Sequence, residues 1–253
     1  SGEYGWVSPF IIEVRKDLNL EADALPSKTP SLIPMIVEKA AQGIILEGKL
    51  IEKECDAEEL ATLLREKQNE KMKTVWELCA YFYSLESFLY KALNDTMRLV
   101  GDKQHEQDWR SKVRTLGPFC LLLWDNPFNK KLTTGKTIYR GANLTEEQIN
   151  AYREMAKDKK VYGSFQSYTS CSRNRRKAEE FGSTLFIMKV LFAFTADLKP
   201  VSEYKEEEEL VTPGVCFNVT KVEFNDETKQ HLIYLNLRQR FSSNQNSIFS
   251  EFL

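Results

Sequence analysis

The sequence predicts an α+β protein, with helices in its first half and a mostly antiparallel sheet in its second. Three observations carry this. Residues 57–100 are rich in Glu, Lys, Leu and Ala, with apolar residues at helical spacing. After Gly135, short β-branched and apolar runs replace the long amphipathic ones. With 253 residues, 42% of them hydrophobic and 28% charged, the chain is long enough to bury a sizeable core. The texture divides it into a helical region, 1–130, and a β-rich region, 131–253, which together form one compact unit.

Residues 1–30 carry Pro9, Pro26 and Pro30 and read as irregular. Pro34 suits the first turn of a helix, where its missing N–H is not needed, and that helix runs to about Gly48. Asp56, with Glu59 three residues later, reads as the cap of the next helix. Trp76, Cys79, Phe82, Tyr83, Leu89 and Leu93 form a core-facing stripe, and Gly101 closes the region. A further helix covers 104–115, and the apolar run from Cys120 to Trp124 fits either helix or strand. A polar loop follows, from Asp125 to Gly135. Thr137 to Arg140 reads as a strand, and Thr145 as the cap of a helix over 146–157. Val161 to Ser172 is extended, and Asn174 opens a short helix closed by Gly182. Thr184–Phe192, Leu210–Val219, Lys221–Phe224 and His231–Leu237 read as strands, with a turn at Asn225-Asp226. The Ser- and Asn-rich tail from Phe241 reads as loosely held.

Several function classes are excluded early. A net charge of −2 gives no basic field for nucleic acid. No apolar run approaches the roughly 20 residues of a membrane span. The five cysteines are widely spaced with no Cys-x-x-Cys, which argues against a structural zinc and for reduced thiols. The first residues show no basic-then-apolar leader pattern, so a cytoplasmic setting is expected, with secretion left open. Asn94, Asn143 and Asn218 each head an Asn-x-Thr triplet that matters only on a secretory route. Both histidines, His105 and His231, lie far from the candidate residues, against histidine acid–base chemistry.

Those candidates fall in three blocks. Arg140 ends a strand beside Gly141, its forked guanidinium suited to phosphate and Gly141 open to close approach of a ligand. Ser170 and Ser172 flank Cys171 on an extended segment and so share a face. Four glutamates, Glu206 to Glu209, run into the apolar strand beginning Leu210-Val211. Strand alternation puts Glu207 and Glu209 on one side and Glu206 and Glu208 on the other, with the register open by one position.

An Arg on a strand, then Ser-x-Ser, then Glu-x-Glu resembles the arginine-specific mono-ADP-ribosyltransferases. The resemblance spans roughly Leu89 to Leu237 and includes Tyr90-Lys91-Ala92-Leu93-Asn94 in the helical region. Cys171 stands where the family more often has Thr or Ala, and Arg173 where an apolar residue is commoner. The resemblance implies a split, mostly antiparallel β-sandwich and NAD⁺ as a co-substrate, with no metal. It implies that Glu209 stabilises the oxocarbenium-like ribose, that Ser170 orients Glu209, and that Arg140 grips NAD⁺. Glu207 would receive the acceptor arginine of a protein partner, and Phe181 would stack on nicotinamide. The alternatives it leaves open are an NAD⁺ glycohydrolase and an inactive module that binds NAD⁺ or a partner protein.

Overall fold

Helix and ladder separate along the chain in a computed structural model that describes residues 8–21, 24–85, 87–128, 132–201, 207–239 and 248–250. The tail from Phe241 therefore lies almost wholly outside the described residues, as does Glu206.

The helical half holds α1 (Pro9–Asp17), α2 (Ile33–Leu50), α3 (Glu54–Glu66), α4 (Met72–Ser84), α5 (Phe88–Arg98), α6 (Glu106–Ser111) and α7 (Val113–Trp124). Read as irregular from its prolines, the N-terminal segment instead contains α1. Pro9 occupies its first turn, where no N–H is required. Phe10, Ile11 and Val14 are buried, and Val14 sits where a side chain at Gly117 of α7 would be, 2.5 Å from the ideal Cβ position. Packing on α7 thus outweighs weak local signals. Asp56 is no cap. α3 begins at Glu54, which places Asp56 in the first turn, where a carboxylate favours the positive end of the helix dipole. Cys120–Trp124 proves to be the last stretch of α7, whose Pro118 lies inside the helix.

Among the described residues the second half interleaves α8 (Glu146–Lys157) and α9 (Arg175–Glu179) with nine strands: β1 (Lys136–Ala142), β2 (Tyr162–Ser164), β3 (Thr169–Ser172), β4 (Thr184–Phe192), β5 (Thr195–Asp197), β6 (Glu208–Val211), β7 (Cys216–Asn225), β8 (Gln230–Arg238) and β9 (Ile248–Ser250). They form one sheet in the order β5-β6-β3-β1-β4-β8-β7-β2-β9. Most pairings are antiparallel; β4 with β8 and β2 with β9 are parallel. α8 opens with a reciprocal cap: Gln148 N–H donates to Thr145 Oγ1 at 3.3 Å and Thr145 N–H to Gln148 Oε1 at 2.9 Å. The run expected as one strand, Leu210–Val219, breaks at Pro213-Gly214, where Gly214 takes φ 95°. Lys221–Phe224 instead continues β7 across a register shift after Val219.

One apolar cluster lies among the helices and extends onto the sheet through Tyr168, Ala196 and Leu210. A second, including Ile138, Cys171, Phe186 and Val211, fills the opposite face. Among the described residues no helix is long and apolar enough to cross a membrane.

Candidate active site

Strand registers decide which side chains meet. β3 and β6 pair Ser170 with Leu210, Cys171 with Glu209 and Ser172 with Glu208. Directly opposed residues share a face of the sheet. Ser170 and Glu208 therefore lie on the face toward the helices, with Tyr168, Ala196 and Leu210. Glu209 lies on the other face, with Cys171. The Ser170 hydroxyl donates to Glu208 Oε1.

β1 joins β3 at Tyr139–Ser172. Near that bridge the half-buried Arg140 donates from Nη1 to the Ser170 carbonyl at 2.8 Å. Its Nε is buried and finds no acceptor. A buried guanidinium N–H without a partner is uncommon enough to call for one, and a phosphate or ribose oxygen has the right chemistry. Ser170 thus links Arg140, through its backbone carbonyl, to Glu208, through its hydroxyl, in one site drawn from three strands.

The helical half supplies its floor. Tyr83, 1% exposed, donates its hydroxyl to the Tyr168 carbonyl at 3.3 Å and accepts from Asn94 Nδ2 at 2.8 Å. Its ring meets Tyr90 edge-on at 4.8 Å and Tyr168 at 5.4 Å. Burial pushes the Tyr83 phenol well above its ordinary range, and the charges of Arg140 and Glu208 both reach it.

The structure places the remaining candidate residues as follows. Glu209, expected beside Ser170, is instead 1% exposed and locked on the opposite face. Lys136 Nζ lies 3.0 and 3.2 Å from its two oxygens, Arg173 Nη1 donates at 3.2 Å and the Thr195 hydroxyl at 2.5 Å. Arg173 also holds Asp197 at 2.8 Å; burial opposes the charge of Asp197, but the guanidinium together with the Lys199 N–H keeps the carboxyl below its usual range. Glu207, expected to pair with Glu209 at the site, is half exposed at 50%, with Lys199 at 3.9 Å. Phe181 is 61% exposed, at the turn after α9. Gly141 does give close approach, but to α9: an added Cβ would lie 2.1 Å from the Ala178 carbonyl and 2.8 Å from Phe181 Cβ.

Lys136, Thr195, Tyr83 and Asn94 were not singled out as site residues from the sequence. Asn94 stood in the helical block of the resemblance, and its 1% exposure leaves no free carboxamide for a glycan. On the Glu209 side a cavity of about 510 Å³ opens between α4 and β5, walled by Lys73, Trp76, Phe128, Lys136 and Asp197. It does not include Arg140 or Ser170.

A family model described as NAD:arginine ADP-ribosyltransferase matches residues 68–243. No curated protein matches the chain. Among solved structures, the type III effector XopAI from Xanthomonas axonopodis pv. citri, a 70-residue N-terminal truncation, is 13% identical, with a TM-score of 0.56 over 81% of this chain and 88% of that one. ADP-ribosyltransferase HopU1 of Pseudomonas syringae pv. Tomato DC3000 is 19% identical, with a TM-score of 0.48 over 59% of this chain. The match spans 65% of HopU1, less than two thirds of its length. The Vibrio splendidus ADP-ribosyltransferase Vis, in complex with agmatine, is 17% identical, with a TM-score of 0.49 over 72% of this chain and 82% of that one. At 13% identity the likeness to XopAI is one of fold.

Proposed function

Because the chain belongs to the NAD:arginine ADP-ribosyltransferase family, we propose that it cleaves NAD⁺ at the nicotinamide–ribose bond and transfers ADP-ribose to an arginine side chain of a protein. The observation that carries this reading is the meeting of Arg140, Ser170 and Glu208 from β1, β3 and β6.

As the C–N bond lengthens, positive charge develops on the ribose and nicotinamide departs with the bonding electrons. A fixed carboxylate beside the sugar stabilises that charge. Glu208 takes this role, held by the Ser170 hydroxyl so that little reorganisation is needed at the moment of reaction. Arg140 binds the dinucleotide through its unsatisfied Nε, while its Nη1 stays anchored on β3. Phe181, exposed at the turn after α9 and close to Gly141, the neighbour of Arg140, offers nicotinamide a stacking face.

The acceptor guanidinium arrives protonated. The acidic run leading into β6 attracts it, and Glu207, half exposed, is the described member of that run able to receive it. Attack by the guanidine nitrogen on the ribose carbon forms the new C–N bond, and the nitrogen loses its proton to a carboxylate or to water.

The test follows the label. Wild-type protein is incubated with NAD⁺ labelled in the adenylate, with agmatine or an arginine-rich protein as acceptor. Label on the guanidine compound, with matching nicotinamide release, is the expected result. Free ADP-ribose alone would make the protein a glycohydrolase, and intact NAD⁺ under all conditions would remove the reading.

A further inference from the structure

We infer that Tyr83 and Asn94 form a positioning relay through which the helical half sets the geometry of Ser170, and through it of Glu208. The inference rests on the reading of Glu208 as the reacting carboxylate.

Both side chains are almost sealed, at 1% exposure each. Asn94, on α5, donates to the Tyr83 hydroxyl, on α4, which donates in turn to the Tyr168 carbonyl. Tyr168 stands two residues before Ser170. Its own hydroxyl donates to the Cys120 carbonyl of α7 at 3.0 Å. The start of β3 is therefore held from two sides by helices. Ser170 next makes both defining bonds of the candidate site: its carbonyl accepts Arg140 and its hydroxyl reaches Glu208.

Packing alone does not account for the relay. A phenylalanine at 83 would fill the same volume against Tyr90 and Tyr168, and a leucine at 94 would suit a buried helix position. The polar atoms carry a desolvation penalty that their bonds only offset. Asn94 leaves its Oδ1 without a partner in a buried position, which an apolar residue there would avoid. What the hydroxyl and amide add is direction: they fix the height of the Tyr168 carbonyl. Displacements of about 1 Å at a reacting group can reduce rate about a hundredfold.

Tyr83→Phe, Asn94→Leu and the double variant are assayed for nicotinamide release, with Glu208→Gln alongside. Tyr83→Phe is expected to lower kcat about tenfold with KM for NAD⁺ within twofold of wild type. Asn94→Leu is expected to lower kcat less, and the double variant no further than Tyr83→Phe, because Asn94 acts through the hydroxyl that is then gone. Wild-type kcat in Tyr83→Phe overturns the relay, and so does a loss that follows only the folded fraction. An active Glu208→Gln protein overturns instead the assignment of Glu208 on which the relay depends.

Discussion

Removing the cations around Glu209 should destabilise the protein more than removing Glu209 itself. The carboxylate is 1% exposed, while Lys136 is 41% and Arg173 24% exposed at the side chain. In the double variant Lys136→Met, Arg173→Leu, Glu209 keeps only the Thr195 hydroxyl among its assigned partners. Leaving a buried charge uncompensated costs about 3–5 kcal/mol. For a chain of this size that corresponds to a Tm lower by on the order of 10 °C. In Glu209→Gln the shape is preserved, Arg173 keeps Asp197 at 2.8 Å, and Lys136 can turn to water. A loss of about 1–2 kcal/mol is expected there, or roughly 5 °C.

Urea or thermal unfolding measures both losses. Glu209→Gln as unstable as the double variant would refute the reasoning.

Other outcomes follow from the same contacts. Gly141→Ala would place a methyl 2.1 Å from the Ala178 carbonyl, so α9 must shift; a loss of about 1–3 kcal/mol is expected by urea unfolding. Asp125 accepts the Ser27 N–H and hydroxyl at 2.7 and 2.6 Å, yet burial raises its carboxyl above the ordinary 3.8. Its contribution is fully present below that value and lost as pH rises through the folded one, so Asp125→Asn should flatten the stability profile above about pH 4. Tyr83→Phe, beyond its kinetic effect, should lower stability by about 1–3 kcal/mol, since the buried Asn94 amide and Tyr168 carbonyl lose their partner without a cavity forming.

How far the sequence could be read depended on whether local and tertiary signals agreed. At Thr145 they did: the capping residue, the first-turn glutamates and the start of α8 coincide. At Pro9 they did not, because α1 is stabilised by Phe10, Ile11 and Val14 lying on a distant helix. The three residues of β5 are too few for a periodicity. Four consecutive glutamates pose a sharper problem. Alternation assigns them to two faces, but with acid at both parities nothing in the run says which pair meets the serine. The choice is made by partners far along the chain, Lys136, Arg173 and Thr195 on one side and Ser170 on the other. A slip of one residue would exchange Glu208 and Glu209. Tyr83 was legible as a buried aromatic, but its hydroxyl contacts were not, since helical spacing says nothing of where a polar tip lands.

The most direct measurement sets the two neighbouring glutamates against each other. Nicotinamide release from NAD⁺ is followed for Glu208→Gln and Glu209→Gln, each under conditions where the protein is folded. Glu208→Gln should lose cleavage by a factor of about a hundred to a thousand, as expected when a preorganised charge-stabilising group is removed. Glu209→Gln should stay within about tenfold of wild type. The reverse pattern, with Glu209→Gln silent and Glu208→Gln active, would contradict the account.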